Sequence, residues 1–253
     1  MVKELWHLLL TNLLRLYLEL KLPSQLPPAG SSLLIAPHPD DEVLGAGGLL
    51  LAALEVSQDV HIIFLTNGEK SCAHPDESRI QIERSKLIDT VRMALGIPAA
   101  NIHRFQLPDG SVPHIGEPGF FGAVEHLIRL IDEIQPAHVL ATHNMDFWPY
   151  DHVACAEMAI AASRGSSHKP RIFLYWVWAW YNLQPWRLCL KKHPKLMKID
   201  ISKWEATKRR LVNLYMRPCA PSGQPWGGRL PWAMRQTARF KFEVIEEIEI
   251  DAN

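Results

Sequence analysis

The stretch IAPHPDDEVLGAGG, Ile35 to Gly48, decides how the rest of the chain is read. An apolar run ends at Pro37, His38 and three acids (Asp40, Asp41, Glu42) follow, and glycines then open a helical pattern. Carboxylates this close repel one another unless something positive sits among them. A metal ion meets that need. A helix N-terminus, whose dipole favours acids, meets it less fully. His38 and Asp41 are three positions apart on a turn entering a helix, so both side chains can point the same way.

Outward from this stretch the pattern alternates. Residues 32–37, 59–68, 101–110, 137–143 and 171–180 read as strands, the second and third of which end in a turn. Between them, residues 42–57, 76–96, 122–136 and 151–163 carry helical apolar spacing. Ile80, Ile82, Leu87, Val91 and Leu95 mark the second of these helices, which ends at a glycine cap. Such alternation with short connections predicts an α/β fold, a Rossmann-like three-layer sandwich with a mostly parallel sheet. Residues 202–216 read as a further helix, and 238–250 as a last strand in which Phe240, Phe242 and Val244 alternate. There is no internal repeat or low-complexity segment. We expect an N-terminal amphipathic helix and linker at 1–30 and a core at 31–180. An aromatic-rich extension, 181–253, completes the same domain and shapes the substrate site.

Composition narrows the function. Lys plus Arg and Asp plus Glu both number 27 in 253 residues, which argues against a general attraction to nucleic acid or an acidic polymer. The four cysteines form no C-x-x-C pair and read as free thiols of a reducing, cytoplasmic setting. Residues 5–20 are apolar but interrupted by Arg15 and Glu19, too short and too charged to span a membrane. No cleavage site comes after them. They form either a helix packed on the domain or one lying on a membrane surface. Oligomeric state leaves no mark on the sequence.

In open parallel sheets ligands sit beyond the carboxyl ends of the strands. PHPDDE follows the first strand and THNMDFWPYDH the fourth, and these two strands can be neighbours. His152 is the best-placed third ligand beside His38 and Asp41. Two imidazoles and a carboxylate suit catalytic Zn²⁺, or Fe²⁺. Asp40 then stays off the metal, free to take a proton, and Glu42 braces a ligand or the helix. The bland readings are a satisfied loop histidine at 38, an ordinary helix histidine at 152 and an N-cap at Asp151. The glycines lack G-x-G-x-x-G spacing and follow acids that would repel phosphate, so they read as close helix packing.

PHPDDEVLGAGG, together with a later D-H opening a helix, resembles the LmbE-like, or PIG-L, N-acetylglucosaminyl deacetylase family over about Leu33 to Ile160. LTNGEKS, ALGIPAANIHRFQLPDGSV and WVWAW are similar to family stretches more weakly. The resemblance implies a Rossmann-like fold and usually zinc, with His38, Asp41 and His152 as ligands and Asp40 as general base. The implied reaction is hydrolysis of an N-acetyl group from an amino sugar or glycoconjugate. The family's H-P-D-H motif reads Pro149-Tyr150-Asp151-His152 here, so the histidine implied for the oxyanion is replaced by proline. His143 either reaches the same space or is a strand-end histidine. Asp109 matches a family position near sugar hydroxyls, or is a turn aspartate. Arg84 lies near a substrate-contacting family arginine, or is a solvated helix residue. Gln224, Trp226 and Arg229, in an aromatic-rich stretch suited to stacking on sugar rings, are further candidates for substrate contact. Alternatives that keep the metal are amide hydrolysis on a lipid-linked sugar or a thiol conjugate. A metal- or sugar-binding homologue with weak activity is the non-catalytic one.

Overall fold

The computed structural model describes residues 2–56, 58–72, 76–183 and 196–249. The chain runs α1 (Val2–Lys21), β1 (Ser24–Gln25), β2 (Ser32–Ala36), α2 (Asp41–Glu55), β3 (Val60–Thr66), α3 (Glu77–Leu95) and β4 (Ile102–Leu107). It continues through α4 (Phe120–Ile134), β5 (His138–Thr142), α5 (Tyr150–Gly165), β6 (Arg171–Tyr175) and α6 (Ala179–Asn182). After β7 (Leu196–Asp200) come α7 (Glu205–Tyr215), α8 (Trp232–Thr237) and β8 (Phe242–Ile248).

Among the described residues these strands form one eight-stranded sheet, ordered β1-β7-β8-β6-β5-β2-β3-β4. Only β8 runs antiparallel to its neighbours, β6 and β7. Strands β2 and β5 are buried throughout, as a strand covered on both faces must be. One face packs on α1, α2, α3 and α7 through Leu14, Val43, Ile88 and Leu211. The other packs on α4 and α5 through Leu127, Ile131 and Met158. The fold is thus the expected α/β sandwich. Its strand order reverses between β2 and β5, which pair directly. The carboxyl ends of those strands therefore flank a crevice.

Three parts differ from expectation. The stretch 171–180 is a strand only to Tyr175. The Asp146 carboxylate then takes the backbone N–H groups of Val177 and Ala179 and turns the chain into α6. Strand β7 gives β8 a second neighbour, which the strand and helix periods do not announce. In α3 the inner row is Ile80, Arg84, Ile88, Val91 and Leu95, while Ile82 faces solvent.

Helix α2 is broken at Ala46 (φ −131°), which separates the acidic turn from the rest. Glu243 of β8 reaches into the break. Its carboxylate accepts from the N–H groups of Gly48 (2.7 Å) and Leu49 (2.9 Å) and from Lys208 Nζ (2.7 Å), all buried. The glycines let the helix pack closely on its neighbours, since a Cβ at Gly45 would overlap the Tyr175 ring and one at Gly48 the Ile201 side chain. Removing one partner of such a buried pair leaves the other charge uncompensated. We expect Glu243→Gln to cost about 3 kcal/mol in urea denaturation. Adding Lys208→Met should restore part of that loss, and strictly additive losses would show that the two do not act as a pair.

Candidate functional site

The turn between β2 and α2 carries the acids into the crevice. Asp40 adopts φ +126°, a backbone conformation that L residues rarely take. Glu42 holds it there, with Oε2 accepting the Asp40 N–H (2.8 Å) while Oε1 accepts from Tyr215 Oη (2.7 Å). Asp41 Oδ2 accepts the His38 N–H (3.0 Å) and lies 3.2 Å from His38 Nδ1. Across the strand reversal, His152 Nε2 on the first turn of α5 lies 3.3 Å from the same oxygen.

Each imidazole is backed by carboxylates on its far nitrogen. His152 Nδ1 meets Asp146 Oδ2 at 3.1 Å, and His38 Nε2 meets Asp151 Oδ2 at 3.0 Å and Asp109 Oδ1 at 3.2 Å. Such partners fix the tautomer and leave the near nitrogen's lone pair for a cation. The coordinating atoms of His38, Asp41 and His152 lie within 4.8 Å of one another. His152 Nε2 is buried without a hydrogen-bond partner. These residues fit a divalent metal. His38, Asp109 and Asp151 form a second such group. Their carboxylates, however, are already engaged: Asp151 by the amides of Gly110 and Val112, and Asp109 by that of Lys70.

The electrostatics follow from burial. Burial alone would lower the His38 pKa, but hydrogen bonds to Asp109, Asp151 and Asp41 raise it well above the usual value. For His152, burial is likewise outweighed by Asp41 and Asp146, and the pKa rises to about 9. Burial pushes Asp41 up, yet the two imidazoles hold it below the usual carboxylate range. Asp40 has less compensation. Burial raises it to about 7 against the pull of Arg84.

The cluster opens into a cavity of about 290 Å³ lined by His38, Asp40, Asp41, Arg84 and Asp109, with Trp148 and Trp178 among its walls. Arg84 is buried, 2 % exposed, donates to Pro39 O and lies 3.8 Å from Asp40. It is not the solvated arginine of the alternative reading. Asp109 lines the wall and also accepts from Lys70 N–H, while Arg229 joins the rim.

Other expected residues are not brought here. His143 turns away, with Nε2 on Glu246 (2.7 Å) and Nδ1 accepting the Met145 N–H. The Trp226 ring packs on Ile80 and Ala220, and Gln224 is absent from the walls. The neighbouring Gly227 is what reaches the site. A Cβ there would come within 2.9 Å of Arg84 Nη1 and 3.1 Å of Asp40 Oδ2. Asp151 is no N-cap. The helix is entered at Pro149, and the carboxylate serves His38 and the Gly110–Val112 loop. Sequence reasoning missed Asp146, Lys70, Trp148 as a wall and Gly227. Asp146 carried a signal, an acid six positions before His152. Among the cysteines, Cys72, Cys155 and Cys219 are free thiols, and Cys189 lies outside the described residues.

Residues 33–163 match the model of the PIG-L family, described as GlcNAc-PI de-N-acetylase, and the chain belongs to that family. Among solved structures, it resembles the conserved protein TT1542 of Thermus thermophilus (25 % identity, TM-score 0.56, 77 % of this chain and 83 % of that one). It also resembles the N,N'-diacetylchitobiose deacetylase of Pyrococcus horikoshii bound to an inhibitor (22 %, 0.58, 80 % and 75 %). A third likeness is to the 4-carboxy-2-hydroxymuconate hydratase of Pseudomonas putida KT2440 (15 %, 0.63, 88 % and 98 %), and these last two speak to the fold alone. No curated protein matches the chain.

Asp146 gives this geometry a direct check. Asp146→Ala should weaken divalent-metal affinity about 10- to 100-fold in calorimetric titration, with the circular dichroism spectrum retained. Unchanged affinity would mean that Asp146 only shapes the turn into α6.

Proposed function

We propose that the cavity hydrolyses the N-acetyl group of an amino sugar or glycoconjugate and releases acetate. In this reading His38, Asp41 and His152 hold a divalent ion, and Asp40 is the general base. One observation carries the proposal: a further buried carboxylate, Asp40, opens into the same cavity as the cluster but is not among its coordinating atoms. A group that only held metal would have no use for it. Zinc suits two imidazoles and one carboxylate, and iron(II) shares that donor set. When bound, such an ion supplies Lewis-acid polarisation of the scissile carbonyl and of water.

The chain's own residues do the rest. Asp40, raised to about 7 by burial, is matched to proton transfer near neutrality. It takes the proton of the attacking water and returns it to the departing amine. Arg84 keeps part of the carboxylate population ionised and, through Pro39 O, steadies the turn that carries it. Glu42 and Tyr215 hold the Asp40 backbone from behind. Pro149 offers no imidazole to the developing oxyanion and His143 is turned to Glu246, so Lys70 and Arg229 are the exposed cations of the wall that can face it. Trp148 and Trp178 offer aromatic faces to the apolar side of a sugar ring. A volume near 290 Å³ suits about one such ring.

Acetate release from N-acetylglucosamine and from N,N'-diacetylchitobiose, the substrate named for the Pyrococcus protein, tests the proposal. We expect Asp40→Asn to keep its metal while acetate release falls about 10²- to 10⁴-fold. Near-normal turnover in that variant would remove Asp40 as the base. Full metal loading with no acetate from any N-acetyl sugar would contradict the sugar assignment.

A further inference from the structure

Helix α1 is apolar on two faces. Leu10, Leu14 and Leu18 pack into the core. At 100° per residue, Leu5, Trp6, Leu9, Leu13, Leu16 and Leu20 fall on the opposite side, between 46 % and 83 % exposed, with no polar residue among them. This outward stripe is about 22 Å long. A second apolar row on the outside of a helix is one meant to be covered, yet no described part of the chain covers this face. The helix does not cross a bilayer, since none here is long and apolar enough.

The charges bordering the stripe say what covers it. Lys3 and Lys21 sit at the two ends of the helix, in line with the buried Leu10 and Leu14, and are exposed. On the flank of the stripe that Leu8 marks, Arg235 and Arg239 line a groove of about 420 Å³ that Leu8 shares with Trp232. Neither of these arginines nor either lysine has an acidic partner among the described residues. The acids nearby are engaged: Glu19 by Arg15 (2.7 Å), Glu4 by the Trp232 N–H (3.0 Å) and Glu205 by Arg209 (3.3 Å). A second copy of this chain is a poor occupant. Antiparallel two-fold pairing through the stripe sets arginine flank against arginine flank. Leu and Trp on a helix face bordered by unpaired cations are the pattern of a segment lying in an anionic lipid surface.

We propose that the outward face of α1 docks on an anionic bilayer, its apolar stripe entering the headgroup boundary and Arg235 and Arg239 meeting lipid phosphates beside it. A chain of aromatic contacts links the inner side of α1 to the cavity. His7 of α1 stacks on Tyr181 (4.0 Å between ring centroids), Tyr181 meets Trp178 (5.9 Å), and Trp178 meets Trp148 at the cavity wall (5.1 Å). Docking does not depend on which bond the site cleaves.

Flotation of the full chain with vesicles of phosphatidylglycerol and phosphatidylcholine, or of phosphatidylcholine alone, tests this without reading activity. We expect binding to the anionic vesicles, falling about tenfold or more in Leu9→Gln/Leu13→Gln and in Arg235→Gln/Arg239→Gln, and weakening with salt. Both pairs are exposed, and a matching melting temperature confirms that each variant folds. No binding, binding unchanged by both double variants, or equal binding to neutral vesicles would overturn the proposal. So would a dimer in solution that Leu9→Gln/Leu13→Gln dissolves, since a second copy would then be what covers the face.

Discussion

Asp41 Oδ2 lies within 3.3 Å of an imidazole nitrogen from each side of the strand reversal, and much of the surrounding structure serves that contact. The cluster brings Asp40, Asp41, Asp109, Asp146 and Asp151 into a small buried volume, where unpaired carboxylates would be intolerable. Each has its own relief. His38 and His152 face Asp41, backbone amides take Asp109, Asp146 and Asp151, and Arg84 stands beside Asp40. Relief is least complete at Asp40, the one carboxylate of the group whose pKa burial drives up to about 7. A carboxyl group that titrates near neutrality thus arises from the same packing that holds Asp41, Asp109 and Asp151 below the usual carboxylate range.

The scaffold's task is to keep this cluster from relaxing. Strands β2 and β5 fix the two halves in register, Leu34 opposite Leu140. The break in α2 detaches the acidic turn from the rest of the helix, and the buried Lys208–Glu243 pair anchors the helix beyond the break. Tyr215 joins α7 to Glu42, and Gly227 brings the C-terminal loop against Asp40. Residues after 196 therefore complete the sheet and close the cavity together.

Local patterns revealed what was local. Alternating strand and helix periods specified the sandwich, and the order of PHPDDE and the later D-H pointed to His38, Asp41 and His152, which the fold brings into contact. Polar residues on inward rows left a legible but unused trace: Arg84 stands in line with Ile80 and Ile88, and Lys208 with Leu211 and Tyr215. The hidden features depended on long-range contacts. Asp146 matters because it bonds both His152 and the amides of Val177 and Ala179, some thirty residues on. Trp226 attracts attention as an aromatic in a loop, but the loop's turn hands the cavity to Gly227 and buries the indole. His143 ends its strand as expected, yet Glu246 on β8 pulls it from the site, and spacing along the chain cannot register that.

The most direct measurement is elemental analysis of the purified protein beside His152→Ala, after chelation and titration with zinc or iron(II). About one ion per chain in the wild type, retained through gel filtration and lost in the variant, is the expected result. A wild-type chain that takes up no divalent ion would contradict a metal centre. The cluster would then be a set of ion pairs holding the start of α2, with a protonated His152 between Asp41 and Asp146.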